Sequence, residues 1–329
     1  RSDYSFVTGM YNDTTVTNSL FEIGNGTADN ARKNAITILR NGNMGLGNDN
    51  PLAHLQVTAG NVVFTGDPWN LPNLPANPPV EGSGTRMFWY ADKAAFRSGA
   101  VSNNDWNKDS IGKYSFASGL DVKAKGNYSS AFGVNNAALG DYSFIAGTGN
   151  TAITTSGIAF GNNTQSRNSG SVAIGNGLIT KTVYGLVVGT YNDSSDIQPN
   201  IGSSQLTDRL FQIGNGSYAA RSNAITVLRN GNMGVGNLVP DVPLSFANST
   251  GSKIALYSNG TNNQYGLGIQ SGLLQLYSDG AASDIVFGYG GSSSFNEKVR
   301  IKGNGNVGIG NNNPSRPLSF PASLGEKIL

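Results

Sequence analysis

Residues able to do chemistry are few and widely spread. His54 is the only histidine in 329 residues, and there is no cysteine. Thiolate nucleophiles, disulfides and cysteine-ligated metals are therefore excluded. A Ser-His-Asp relay would have to run through His54 alone. That residue sits in Leu52-Ala-His-Leu-Gln-Val57, and two related stretches carry proline at its place, near 243 and 317. It reads as a surface or interface residue. Gly303-Asn-Gly-Asn-Val-Gly308 matches G-x-G-x-x-G literally. A dinucleotide site needs a strand before that motif and a helix after it, so that the helix N-terminus can hold the pyrophosphate. Here a turn and a further strand are expected, and Arg40 and Arg229 stand where related copies align with Gly303.

Acid–base chemistry by a carboxylate pair fares no better. The 20 acidic residues are scattered mostly through turns, and Glu22, on a strand-like run, has Gln212 as its counterpart. Asp92, Asp105 and Asp109 fall where turn-forming and N-capping roles are common. The Asp/Asn-rich turns at Asn12-Asp13 and Asn192-Asp193 lack the nonapeptide pattern of calcium β-helices and read as side chains bonding their own backbone. Tyr114, Tyr128 and Tyr142 recur in one column and are the candidates for ligand-facing aromatics, since sugars stack on such rings; the competing reading is ring-on-ring packing. No catalytic, cofactor-binding or metal-ligating residue is assigned.

The composition argues for strands and turns. Glycine supplies 45 residues, roughly twice the ~7% average, without a collagen triplet. Charged residues are 13% and hydrophobic residues 38%, too apolar for a disordered tail. The net charge is +2 with no basic cluster, so nucleic-acid binding lacks its electrostatic footprint. No apolar run approaches the ~18–20 residues of a membrane span.

Internal repeats decide the organisation. Gly119, Gly133, Gly147, Gly161, Gly175 and Gly189 recur every 14 residues. A short strand-like run precedes each: Tyr114-Ser-Phe-Ala-Ser118, Tyr128-Ser-Ser-Ala-Phe132, Tyr142-Ser-Phe-Ile-Ala146 and their successors to Tyr184-Gly-Leu-Val-Val188. Small residues lie four and two before the glycine. Bulky ones often lie three and one before it: Phe116, Phe132, Ile158, Phe160, Ile174, Leu186 and Val188. A period of two predicts strands with one close-packed face and one large apolar face. Each repeat suits one coil of a narrow β-solenoid, six coils spanning roughly 24 Å at ~4.8 Å each. So thin a solenoid leaves its bulky face in want of a partner, and three chains about an axis close it.

A second repeat reads Leu20-Phe-Glu-Ile-Gly-Asn-Gly26 and Leu210-Phe-Gln-Ile-Gly-Asn-Gly216. It continues as Asn34-Ala-Ile-Thr-Ile-Leu-Arg-Asn-Gly-Asn-Met-Gly-Leu-Gly-Asn48 and its near-copy over 223–237, with a partial third copy at Asn304-Gly-Asn-Val-Gly-Ile-Gly-Asn311. Each ends in a proline (Pro51, Pro240, Pro314) and a short apolar strand. Asn41-Gly42, Asn230-Gly231 and Asn304-Gly305 predict hairpins with type I′ turns.

Ser171-Val-Ala-Ile-Gly175 within the 14-residue ladder resembles the left-handed parallel β-roll heads of YadA-type trimeric adhesins over residues 112–192. The Gly-Asn-Val-Gly-Ile-Gly…Pro pattern, at 34–57, 223–246 and 299–320, is similar to shaft modules of phage and injection-system tail fibres. These resemblances imply a homotrimer, an extracellular location and a role in attachment. The expected fold is all-β: a homotrimeric fibre with a left-handed β-roll of 14-residue repeats and small β-hairpin or β-sandwich-like shaft modules. The expected organisation starts with the end of a preceding β-roll (1–19) and a shaft module (20–57). A Pro-rich spacer with a Trp-containing cap (58–111) leads into the β-roll (112–192). A second shaft module (193–246), an antiparallel β module (247–320) and the start of a further repeat (321–329) complete it. Both ends cut through repeats, so the chain reads as a piece of a longer polypeptide.

The functional expectation is a non-enzymatic structural segment of a tail fibre or adhesin. It would project a receptor- or glycan-binding tip outside these residues, with no cofactor, no nucleic-acid partner and no membrane span. One alternative is a cell-surface adhesin whose β-roll itself binds glycan or matrix protein; another is a polysaccharide-degrading tail spike.

Overall fold

The computed structural model describes residues 4–67, 71–195, 202–260 and 263–321. The described chain is all-β, built around a β-solenoid; its only helical pieces are two 3₁₀ turns, Ala91–Lys93 and Lys108–Ser110. No helix among the described residues is long and apolar enough to cross a membrane. The chain forms two compact units, Arg1–Ala76 with Trp89–Ala95, and Asn77–Phe88 with Phe96–Leu329. The stretch 58–111, expected to act as one spacer and cap, is thus divided between them. Pro68 and Trp69, and the further repeat expected after residue 321, lie outside the described residues.

In the second unit, five-residue strands stack in parallel with a register that advances by one repeat: Phe116 pairs with Ser130, Ser130 with Phe144, and so on to Val172 with Leu186. The glycines pair with one another in the same ladder. Two-residue strands from Lys123–Ala124 to Ile179–Thr180 stack alongside as a second parallel sheet. The inside holds small side chains because the sheets approach closely: Ala117, Ala131, Ala159 and Ala173 from one, Ala124, Ala138 and Ala152 from the other, all without solvent exposure. The residue two before each glycine thus faces inward, alanine in four coils and Ile145 and Val187 in the other two, and the residues one and three before it face out.

The second shaft-like copy is not a separate domain. Its strand Arg209–Asn215 pairs in parallel with Leu186–Thr190, placing Gly214 beside Gly189 as the next rung of the same ladder. One twelve-stranded sheet runs through the coils into this copy. The reason is visible in Leu210-Phe-Gln-Ile-Gly214, which has the alternation of a coil strand. The first unit repeats the arrangement, with Phe6–Met10 parallel to Ser19–Asn25 and Gly9 against Gly24. From there the chain turns antiparallel through Asn34–Leu39 and Met44–Leu46, then parallel into Leu55–Val57.

The single antiparallel module expected over 247–320 is two sheets. Gly251–Ser258, Gln264–Gln270 and Leu273–Tyr277 form one. Ile285–Tyr289, Asn296–Ile301, Val307–Ile309 and Leu318–Ser319 form the other, whose last pair is parallel. That ending matches the two earlier copies.

The hairpins form where expected, with a different turn. Only the glycine is left-handed (Gly42 φ +87°, Gly231 φ +92°, Gly305 φ +93°), not the asparagine before it. Gly42 N–H donates to Leu39 O (2.9 Å) and Leu39 N–H to Asn43 O (2.8 Å). This is a three-residue loop with glycine at its left-handed end. The second asparagine explains the length: Asn43 N–H bonds the Asn41 side chain (3.0 Å), and the Asn43 amide donates to Pro51 O (2.9 Å), as Asn232 does to Pro240 and Asn306 to Pro314.

Candidate functional site

The feature with a continuous, patterned surface is the flank of the solenoid, and it is built on the repeat glycines. Gly119, Gly133, Gly147, Gly161, Gly175 and Gly189 all have φ between +99° and +145°. A Cβ at Gly147 would fall inside van der Waals contact of Gly161 O, and the same holds along the column. Glycine is required both by the dihedral and by the close approach of coils.

Two further corners of each coil are left-handed. One carries Asp121, Asn135, Gly149, Asn163 and Gly177; the other carries Tyr114, Tyr128, Tyr142, Ser156, Gly170 and Tyr184. Bulky residues at φ near +55° are rare. The tyrosines are held there by stacking: Tyr114 on Tyr128 and Tyr128 on Tyr142, with centroids 4.9 Å apart in both pairs and planes within 12° and 1°. Both faces of Tyr128 are thereby occupied, so the column offers solvent mainly edges and hydroxyls.

In the first three coils the outward face of the main strands alternates in a zigzag, and from Ile158 and Phe160 onward both outward positions are large. Large and small residues exchange places from coil to coil: Phe116 with Ser118, Ser130 with Phe132, Phe144 with Ala146. Phe96, Phe116, Phe132, Phe144 and Phe160 make an unbroken aromatic column with centroid spacings of 5.2 to 5.7 Å. Its members remain half-buried or exposed, Phe144 at 38%, and Ile174, paired with Phe160 in the next coil, is 45% accessible.

Inside, a polar ladder that sequence reasoning missed links the coils. Asn136 Oδ1 accepts from Asn150 N–H (2.8 Å), and Asn150 Oδ1 from Thr164 N–H (2.9 Å) and its hydroxyl (2.8 Å). The Asn150 amide donates to Ala146 O (2.9 Å) and Gly161 O (2.8 Å). The signal was present: the position three after each repeat glycine reads Val122, Asn136, Asn150, Thr164, Leu178, Asn192. Arg97 was missed as well. Fully buried at the first coil, it donates to the carbonyls of Phe96, Ser115 and Ala124 and to the Ser115 hydroxyl. Burial pulls its pKa down to about 9. Trp106, also fully buried, donates to Val122 O at 2.8 Å, with Phe88 edge-on at 6.1 Å and Arg86 over its ring. Arg97 and Trp106 thus donate to Ala124 O and Val122 O at the first of the short strands, while Ser115 O also accepts from Phe96 N–H on the preceding main strand.

The remaining candidates take structural places. His54 is exposed in the bend before Leu55–Val57 rather than on the strand, and its carbonyl accepts from Met44 N–H (3.0 Å), as those of Pro243 and Pro317 do in the other copies. Gly303 to Gly308 span the third hairpin, with no helix following. Glu22 is buried and accepts from the Asn12 amide (2.9 Å), where Gln212 accepts from Asn192 (3.2 Å) and Asn223 (2.8 Å). An amide oxygen serves equally there. Asp92 accepts from Ala76 N–H (2.8 Å), and Asp105 pairs with Lys123. Neither 3₁₀ turn has a side-chain cap, so the expected N-capping is not made. Asp13 and Asp193 do bond their own backbone, at Thr15 and Ser195. No group of three or more His, Asp or Glu side chains placed to hold a metal occurs among the described residues. No protein-family model matches the chain, and no curated protein matches it.

Proposed function

We propose that this chain is a structural segment of an extracellular homotrimeric fibre that projects a receptor- or glycan-binding tip lying beyond these residues. The observation that carries the reading is the outward aromatic and aliphatic column. The interior of the coils is filled mostly by alanines, with Val122, Ile145, Leu178 and Val187 as larger members, so most of the large apolar groups of the repeat stand on the outside. Ordered columns of such groups are what a coaxial assembly covers, and in the first three coils the zigzag of large against small gives a complementary relief. The left-handed roll and the trimer come from the adhesin-head resemblance. The thrice-repeated Asn-Gly-Asn-x-Gly-x-Gly-Asn module favours a tail fibre over a cell-surface adhesin. A glycan-binding β-roll is the weaker reading, because the tyrosine faces are taken up by one another.

Light scattering on the intact chain tests the proposal. The expected mass is that of three chains, falling to one when Phe144→Lys and Ile174→Lys are combined on the outward column. A one-chain mass for the parent would overturn it.

A further inference from the structure

Asparagine precedes glycine at seven places in the chain, and that dipeptide carries a reaction of its own. The glycine nitrogen can attack the asparagine side-chain carbonyl and expel ammonia, and with no Cβ on the glycine little obstructs the approach. A fold holds the reaction back wherever it fixes the nitrogen, the side chain or the space around them.

In the three shaft-like hairpins both partners are fixed. Gly42, Gly231 and Gly305 N–H donate to Leu39 O (2.9 Å), Leu228 O (3.0 Å) and Lys302 O (2.8 Å). The side-chain oxygens of Asn41, Asn230 and Asn304 accept from the N–H two residues on, at 3.0, 3.0 and 3.1 Å. After Asn176 and Asn215, the Gly177 and Gly216 N–H serve as rungs of the stacked ladder, to Asn162 O (2.8 Å) and Thr190 O (3.1 Å). After Asn25, Gly26 is buried, and an atom at its missing Cβ would fall on Tyr11 O, so ring closure there has no space.

Asn259-Gly260 differs. It lies in the turn between the strands Gly251–Ser258 and Gln264–Gln270. That turn is closed by Asn259 N–H to Asn263 O (2.9 Å) and by Asn263 N–H to Gly260 O (3.3 Å). Neither bond engages the Gly260 N–H or the Asn259 side chain, and among the described residues no other group does. Both residues are exposed, and apart from chain neighbours no atom lies within 4 Å of the point where a Cβ would stand on Gly260.

We propose that Asn259 is a self-modifying site, converted to aspartate and isoaspartate by attack of the Gly260 nitrogen, ahead of the other six Asn-Gly pairs. The nitrogen gives its proton to solvent base and bonds to Asn259 Cγ. The Cγ–Nδ2 bond breaks, ammonia leaves with a proton regained from water, and a five-membered succinimide remains. Water then opens the ring. Cleavage at Cγ restores the normal backbone with an aspartate; cleavage at the original peptide carbonyl leaves isoaspartate, with the chain running through Cβ and one carbon longer. Nothing is oxidised or reduced, and asparagine plus water gives aspartate plus ammonia. Each event adds a carboxylate and lowers the net charge of +2 by one. The two hydrogen bonds that must break at a shaft hairpin slow the attack there by about ten- to a hundredfold. Nothing in this reaction depends on whether the chain is a fibre.

The intact chain, incubated in warm, mildly alkaline buffer made with oxygen-18 water and then peptide-mapped by mass spectrometry, tests it. The peptide holding Asn259 is expected to take up the label first and to split into aspartate and isoaspartate forms. Peptides holding Asn41, Asn230 and Asn304 should lag by about the factor given above. In the urea-unfolded chain the lag should vanish, because only the fold separates these dipeptides. Equal labelling of Asn259 and the shaft-hairpin asparagines in the native chain would overturn the proposal. So would the same order of rates in the native and unfolded chains, which places the preference in local sequence, or a native Asn259 that stays unlabelled while the unfolded chain reacts.

Discussion

Replacing Asn150 by leucine tests whether the buried asparagine ladder is what locks one coil to the next. The Asn150 side chain makes four hydrogen bonds: to Ala146 O and Gly161 O, both part-buried, and from the buried Thr164 amide and hydroxyl. Leucine removes all four and leaves donors and acceptors inside a solenoid with little room for water. Each stranded group costs about 1–3 kcal/mol. Against this stands about 1.5–3 kcal/mol from burying the leucine, itself reduced by overpacking. Leu178 shows that leucine fits the column when its neighbours suit it. The net expectation is a loss of about 3 kcal/mol, with Thr164→Val, which removes one bond, losing about 1 kcal/mol. Urea denaturation at fixed chain concentration gives the magnitude, and hydrogen exchange in residues 144–166 gives the location. An Asn150→Leu chain within about 0.5 kcal/mol of the parent, the range of ordinary surface substitutions, would refute the reasoning.

Other expectations follow from the same contacts. Gly147→Ala demands a left-handed alanine whose Cβ falls on Gly161 O; a loss of about 3 kcal/mol or more, read as a lowered denaturation midpoint, is expected, whereas Gly231→Ala, with open space around it, should lose much less. Burial alone would raise Asp193, but bonds from Ser195 and Arg209 outweigh it and hold the carboxyl below its ordinary range. Its native form binds protons less readily than the unfolded one, so its stabilisation is present above the ordinary carboxylate pKa of about 4 and is lost as pH falls through the lowered value. Asp193→Asn should therefore destabilise at pH 7 by about 1–2 kcal/mol, less than the scale for a fully buried pair because the carboxylate is only partly buried, and make little difference at low pH. Asp49 has the opposite sign: its raised pKa penalises the folded state at neutral pH and relieves it on acidification. Asp49→Asn should raise the midpoint at pH 7, with the gain vanishing in acid.

Much of the fold is legible in the sequence because its contacts are local in the repeat. A 14-residue spacing of glycines, with small and large residues alternating before each, suffices to place the strands, their register and the inward face. Every coil pairs with a near-copy of itself, so an error in one would be an error in all. Trp106 could be singled out as a large residue before the first coil, but its burial and its bond to Val122 O could not be read from the sequence. Other features depended on where unlike segments meet. That the second shaft-like copy continues the roll's own sheet follows from Gly214 entering the glycine column, a pairing across a long loop that composition does not reveal. The turn type at Asn41-Gly42 was set by the Asn43 amide reaching Pro51, which favours a three-residue loop over the shorter one the dipeptide suggests. Tyrosines at left-handed corners are unfavourable residue by residue, and only stacking between coils compensates them. Asp13 and Asp49 belong to different turns and have no sequence pattern in common. Parallel and antiparallel pairings in series bring them together, and the same register puts Arg209 against Asp193. Chain composition and period determined the solenoid, because a repeated local pattern has one self-consistent packing; the tertiary structure alone decided the charge pairs, because those depend on how segments that do not resemble each other close around the same point.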